Sequence, residues 1–248
     1  MRYVALPGFA ISVLFLFGPS LRADDAANEI IKQAIAARGG EEKLNKIKAY
    51  KETTKGTISI MGMDLDFTSE STVAPPKKIK TTAKMEVGGN AVTFEQVING
   101  DKAKVTVNGM DVPVEDSQKA DSLQRLRLTE AMKLTPLLAD KSYDLKSLGE
   151  SKVDGKDVVG VQVSSKNLKD TKMYFDKTTH LLVKTEHQGL DPTGKSAKQE
   201  TFASDYKEFD GVKQPTKVLI KNDGEKFMEF QITEFKVLEK VDDKDLAD

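Results

Sequence analysis

A phosphate-loop pattern is the most specific chemical motif in the chain. The segment Gly189-Leu190-Asp191-Pro192-Thr193-Gly194-Lys195-Ser196 matches G-x-x-x-x-G-K-[ST], in which loop amides and a lysine hold nucleotide phosphates. That chemistry needs a buried parallel strand before the loop and a helix after it, whereas both flanks have the alternation typical of antiparallel strands. Asp191-Pro192 and Gly194 are ordinary turn residues. We interpret the segment as a polar hairpin tip and expect no nucleotide ligand.

Metal and acid–base chemistry have little support in the sequence. His180 and His187 are the two histidines, and on one strand their odd spacing would place them on opposite faces. The chain has no cysteine to complete a metal site. Asp64 and Asp66 share a face, but the alternation makes that face the solvated one. No nucleophile elbow and no Ser–His–Asp set stands out. The sequence therefore predicts a non-enzymatic protein without catalytic residues, metal or cofactor.

The N-terminal segment has the pattern of a signal peptide. Arg2 precedes an apolar run over residues 3–17, Gly18-Pro19-Ser20 breaks any helix, and Ala23 ends the segment on a small residue. The run of about 15 residues is shorter than the ~20 that span a bilayer. We expect residues 1–23 to be removed by cleavage near Ala23, leaving a periplasmic or secreted protein. An uncleaved N-terminal anchor is the alternative.

Charge and periodicity indicate one β-rich domain over residues 24–240, followed by a loose acidic tail at 241–248. The 38 basic and 39 acidic residues are evenly spread, which disfavours a nucleic-acid partner. Helical spacing after Asp25 predicts an N-terminal helix that ends at Gly39-Gly40. From Tyr50 the apolar period is two, interrupted by turns such as Asn99-Gly100.

A second helical stretch interrupts the strand pattern in the middle of the chain. Apolar residues recur at helical spacing from Asp116 to Asp140, and Pro136 predicts one broken helix or two short ones. The strand period then returns as far as Val237. The fold class is mainly β (α+β): a single antiparallel, strongly curved sheet or incomplete β-barrel of about 11 strands, with an N-terminal helix and a mid-chain helical lid.

Four segments resemble the periplasmic outer-membrane lipoprotein-sorting proteins of the LolA/LolB-like superfamily. The likeness lies in the helix, Gly-Gly break and second helix at 36–47, the strand–Asp turn–strand at 174–182, the strand pair at 205–215, and the closing strand at 230–237. Leu246 departs from it, since relatives tend to have an aromatic residue there. The resemblance implies an unclosed barrel with helices over its mouth, whose concave apolar face binds acyl chains of lipoproteins or other lipids.

On this basis the sequence predicts a carrier or binder of an acyl lipid or lipoprotein, with membrane-associated proteins as further partners. Methionine side chains adapt to varied apolar ligands. The candidate ligand-binding residues on the concave strands and the helical lid are Ile58, Ile60, Met63, Leu65, Phe67, Met85, Phe94, Leu126, Met132 and Leu138. The alternative is a cavity-free interaction or scaffold domain in which these residues fill the core and a sheet edge meets a protein partner.

Overall fold

The computed structural model describes residues 23–60, 62–191 and 193–239. Apart from Ala23, the predicted signal peptide lies outside these ranges. The predicted acidic tail, which includes Leu246, and Pro192 of the phosphate-loop pattern also lie outside these ranges. None of the helices in the described ranges is long and apolar enough to cross a membrane.

The described chain forms one antiparallel sheet and four helices. The helices are α1 (Ala23–Arg38), α2 (Glu41–Lys46), α3 (Asp116–Ala131) and α4 (Thr135–Ala139). The strands are β1 (Ala49–Ile60), β2 (Met63–Ala74), β3 (Lys78–Val87), β4 (Asn90–Asn99), β5 (Lys102–Val107), β6 (Met110–Val112), β7 (Tyr143–Val153), β8 (Lys156–Ser165), β9 (Leu168–Asp176), β10 (Leu182–Leu190), β11 (Ser196–Phe209), β12 (Val212–Asn222) and β13 (Glu225–Leu238). Their order across the sheet is β6-β5-β4-β3-β2-β1-β13-β12-β11-β10-β9-β8-β7.

This architecture confirms the mainly β fold with few helices, but the sheet has 13 strands rather than about 11. The shortest strand, β6, has three residues and stops at Val112, because Pro113 has no amide N–H to continue a ladder. The sheet does not close, since β6 and β7 lie at its two ends and pair with different neighbours.

Strand β1 lies in the middle of the sheet and pairs with β2 on one side and β13 on the other. The β1–β2 register runs without interruption from Tyr50 opposite Val73 to Ile60 opposite Met63. The β1–β13 ladder contains a bulge at Thr53 and Thr54. Bulges increase local twist, so the sheet is more strongly twisted here than along a regular ladder.

The main core joins the helices to the second half of the sheet. Apolar residues of α1, α3 and α4 pack against β8, β9, β10 and β12, with Ile31, Met173 and Phe175 at its centre. A smaller cluster joins Leu126 of α3 to Val73 and Ile98 in the first half. The helices therefore cover one face of the sheet mainly over β7–β12.

Both predicted helix boundaries have a local cause. Helix α1 ends at Arg38 and is followed by Gly39 and Gly40, which have φ values of 125° and 92°. A Cβ at position 39 would lie 2.3 Å from the Gly211 carbonyl oxygen, so the glycine also allows close packing against the β11–β12 turn. The mid-chain helix is broken as predicted, with Pro136 in the first turn of α4.

Candidate binding site

The helix-facing side of the first six strands can be read from the register. Tyr50, Val73 and Ile98 pack with Leu126 of α3, so they define that side. Residues directly opposite one another in an antiparallel pair point to the same face, as do alternate residues along a strand. Four rows therefore continue beyond the helices on the same side, each running across β1, β2 and their neighbours.

Three of these rows are predominantly apolar. Starting from the hairpin tips, they are Ile60 with Met63, Ile58 with Leu65, and Gly56 with Phe67, Met85 and Val92. The next row brings Phe94 beside Val107 on β5. Seven predicted ligand-binding residues thus share one side of the sheet: Ile58, Ile60, Met63, Leu65, Phe67, Met85 and Phe94.

An open groove of about 850 Å³ lies at the β1–β13 junction. Its apolar lining includes Gly56, Phe67, Met85 and Phe230, which belong to the helix-facing side. The remaining lining residues belong to the opposite strand face and are mostly polar: Lys55, Thr57, Asp66, Thr68, Lys84, Glu86, Ala91, Lys217, Glu229 and Gln231. Because ten of the fourteen lining residues lie on the opposite strand face, the groove opens mainly on that face, with balanced charges, and not on the side of the apolar rows.

The three predicted lid residues lie elsewhere. Leu126 is buried in the smaller core cluster, and Met132 packs against the main core. Leu138 is 37% exposed and borders a separate cavity of about 600 Å³ beside α4 and β7, together with Tyr143 and Leu145. The structure does not bring these side chains into the lining of the groove.

A polar row separates the apolar rows from the helix-packed core. We use "polar row" for Glu52, Ser71, Thr81 and Gln96, which are successive neighbours across β1–β4. Ser71 and Thr81 share a hydrogen bond of 2.9 Å, and the Gln96 amide donates to the Ser122 hydroxyl of α3 at 3.3 Å. The described residues offer Glu52 no comparable partner, and burial raises its pKa to about 7.

An aromatic cluster adjoins the Glu52 end of this row. The rings of Tyr50 and Phe235 stack with centroids 4.9 Å apart, and Phe209 lies 5.6 Å from Phe235. Glu52 is directly opposite Phe235 in the β1–β13 register. Burial, with the Glu52 charge second, holds the pKa of the Tyr50 hydroxyl well above its ordinary value. The sequence analysis missed Glu52, although its position between Tyr50 and Thr54 in an alternating strand would have placed a carboxyl on the inward side.

A buried guanidinium fixes the helices against the sheet. Arg38 donates to the Met132 carbonyl at 2.5 Å, to the Gln214 side-chain oxygen at 2.8 Å and to the Lys213 carbonyl at 3.3 Å. It is 7% exposed, and burial lowers its pKa. With its donors used in this way, Arg38 has a structural role at the end of α1.

The motif segments of the sequence analysis have ordinary structural roles. Antiparallel strands β10 and β11 flank the phosphate-loop pattern, and the Asp191 carboxylate accepts hydrogen bonds from the amides of Thr193 and Lys195. The interpretation as a hairpin is therefore confirmed. His180 lies in the turn before β10 and His187 within β10. The described ranges contain no group of three or more potential metal ligands.

Comparisons with known proteins support the fold. Neither family models nor curated protein sequences give a match to this chain. Among solved structures, a LolA superfamily protein from Nitrosomonas europaea has a TM-score of 0.55 at 10% identity, covering 90% of this chain and 97% of the other. An outer membrane lipoprotein-sorting protein domain from Vibrio parahaemolyticus has a TM-score of 0.50 at 12% identity, with the same coverages.

A third solved structure extends the likeness. A DUF1329 family protein from Desulfovibrio piger has a TM-score of 0.54 at 15% identity, covering 89% of this chain and 97% of the other. At these identities the similarity concerns the fold. The chain thus has the fold of LolA superfamily proteins, as the sequence resemblance predicted.

Proposed function

We propose that this protein is an exported, non-enzymatic carrier or binder of a lipid or lipidated protein. The acyl chain lies along the apolar rows of β1–β4, on the helix-facing side of the sheet. The observation that carries the proposal is the continuity of seven apolar side chains on one side of the sheet, beyond the helices that cover the same side elsewhere.

Physical chemistry supports an apolar occupant. Met63 on this side is 52% exposed. Met110 of β6 lies opposite Val107 on the same side and is 70% exposed. A contiguous apolar surface costs free energy in water and is typical of a binding site. One of the similar solved structures is named as an outer membrane lipoprotein-sorting protein domain, which agrees with a role in binding lipidated proteins.

The proposal includes the cellular setting expected from the sequence. Residues 1–23 act as a signal peptide and are cleaved near Ala23, so the protein works in the periplasm or outside the cell. Its partners are acyl lipids or lipoproteins and the membrane-associated proteins that deliver or receive them. It needs no cofactor for this role.

The test combines native mass spectrometry with lipid extraction and a binding assay. The protein purified from the periplasm should carry acyl lipid, and the purified apoprotein should bind the neutral apolar probe N-phenyl-1-naphthylamine. Met85→Asp places a charge among the apolar rows and should weaken probe binding about tenfold or more. Leu148→Asp on β7 is the control, because Leu148 is 38% exposed and far from these rows in strand order.

The opposite result would favour the interaction or scaffold domain. A lipid-free protein that takes up no probe, or a folded Met85→Asp variant with wild-type affinity, would remove the apolar rows as a lipid site. Far-UV circular dichroism and thermal melting of both variants establish that the fold is intact.

A further inference from the structure

The helix-facing side of the first six strands carries one charged residue among those that the structure describes. In the uninterrupted registers from β1 to β6, the residues of this side are apolar, glycine, or neutral polar, with the single exception of Glu52. A carboxylate on an apolar surface is costly unless something compensates its charge. Glu52 therefore requires an explanation beyond packing.

The polar side chains near Glu52 form hydrogen bonds with partners other than Glu52. Ser71 pairs with Thr81, Thr54 with Ser69 at 2.8 Å, and Gln96 with Ser122. The buried guanidinium of Arg38 donates hydrogen bonds to Met132, Lys213 and Gln214. Among the described residues, none donates a hydrogen bond to the Glu52 carboxylate, so it remains able to accept one from a ligand.

The surroundings of Glu52 favour a cationic donor. Tyr50 and Phe235 form a stacked pair beside the carboxylate, and Phe209 extends it. Aromatic faces attract ammonium groups through the negative face of the ring, and aromatic residues together with a carboxylate recognise alkylammonium ligands. An anionic head group would instead meet an unpaired carboxylate, which repels it.

The spacing also suits an amphiphile. The apolar row of Gly56, Phe67 and Met85 lies four residues further along β1 on the same side, about 13 Å away at the usual rise of a strand. A chain extended over the apolar rows can therefore reach the polar row with its head while its tail stays on those rows.

We propose that Glu52, with Tyr50 and Phe235, receives the ammonium head group of an amphiphile whose alkyl chain lies over the apolar rows. This inference depends on the proposed lipid-binding function and specifies its ligand class. It assigns the two ends of the ligand to different parts of the sheet: the chain to the apolar rows, and the cationic head to the base of β1.

The test compares three ligands with the same twelve-carbon chain, each below its micelle concentration, by displacement of N-phenyl-1-naphthylamine at pH 8. They are dodecyltrimethylammonium, dodecanoate and the neutral monododecanoylglycerol. The wild-type protein should bind the ammonium compound about tenfold more tightly than dodecanoate. Glu52→Gln should abolish this preference and keep the affinity for the neutral lipid.

Glu70→Gln is the matched control, since Glu70 is exposed on the opposite side of β2 and should leave all three affinities unchanged. Binding of the neutral lipid with no preference for the ammonium head, or a preference that survives Glu52→Gln, would overturn the head-group assignment and leave the lipid-binding function standing. Failure of all three ligands to bind the folded wild-type protein would overturn both.

Discussion

The backbone of Phe230 occupies the space that a side chain at position 56 would need. A Cβ on Gly56 would lie 2.6 Å from the Phe230 Cα and 2.0 Å from the Glu229 carbonyl oxygen. Both distances are shorter than non-bonded atoms tolerate. The close approach of β1 and β13 at this point brings Gly56 and Phe230 together in the lining of the groove.

Gly56→Ala should therefore separate the two strands and destabilise the protein. We expect the free energy of unfolding to fall by about 2 kcal/mol or more, as for overpacked interiors, in urea denaturation. Hydrogen exchange of the β1–β13 amides should accelerate as well. Thr57→Ala, at the next residue on the opposite strand face, is the control and should have a small effect. Equal stability of the Gly56→Ala variant and wild type would contradict the contact.

Glu52 should make stability depend on pH. Its pKa is raised from 4.5 to about 7 in the folded protein, so the native state retains a proton that the unfolded chain has released. The stabilisation is fully present below about pH 4.5 and is lost as the pH rises through 7, with an upper limit of about 3 kcal/mol. Tyr50, which lies on the same side of β1 as Glu52, stays protonated because its own pKa is raised.

The measurement is the unfolding free energy of wild type and Glu52→Gln in urea at pH 4.5 and pH 8. The variant should gain stability relative to wild type at pH 8, and the gain should shrink toward zero at pH 4.5. Glu70→Gln serves as the control for a general loss of negative charge. A Glu52→Gln effect of the same size at both pH values would show that the carboxyl is not desolvated.

Arg38→Met should loosen the helices from the sheet. The substitution leaves the carbonyls of Met132 and Lys213 without their donor in a buried position, so a loss of about 2 kcal/mol or more is expected. Lys46→Met is the control, because the Lys46 side chain is 70% exposed and its ion pair with Glu42 lies on the surface. Thermal melting of the two variants should differ clearly; similar melting temperatures would exclude the structural role of Arg38.

Asp121 should be needed to hold α3 against β10. Its carboxylate accepts from the Leu190 amide at 3.1 Å and from Arg125 Nε at 2.9 Å, and the residue is 6% exposed. Asp121→Ala leaves the Leu190 N–H without its partner, which should cost about 1–3 kcal/mol in urea denaturation.

Arg127→Ala provides the comparison for Asp121→Ala on the same helix. Arg127 makes an exposed hydrogen bond to the Asn167 carbonyl, and its removal should cost less than about 1 kcal/mol. The Asp121 assignment fails if the two variants unfold at the same urea concentration.

Local signals were sufficient to predict most elements of the fold. Turn pairs such as Asn108-Gly109 and Asp210-Gly211 marked where strands reverse, because Asn, Asp and Gly adopt the positive φ values found there. Gly39-Gly40 and Pro136 likewise marked helix boundaries. These features depend on residues close together in the chain, which is why the sequence alone indicates them.

The pairing of distant strands and the packing of the lid residues could not be predicted from local sequence signals. Thr53 and Thr233, which are joined by a hydrogen bond across the β1–β13 junction, are 180 residues apart. No local pattern specifies that pairing, and the groove depends on it. The lid residues Leu126 and Met132 have the same apolar character whether they line a cavity or fill a core, so their packing became visible only in the structure.

The central position of β1 has a consequence for the order in which the molecule can fold. Strand β1 is made early and β13 late, yet the two form neighbouring ladders in the middle of the sheet. Closing so long a loop costs entropy before any contact compensates it, and high contact order slows folding. Until β13 arrives, one side of β1 is an unpaired strand edge, which is prone to aggregation. The hairpins β1–β4 can form beforehand, but the groove between β1 and β13 comes into existence only with the last strand.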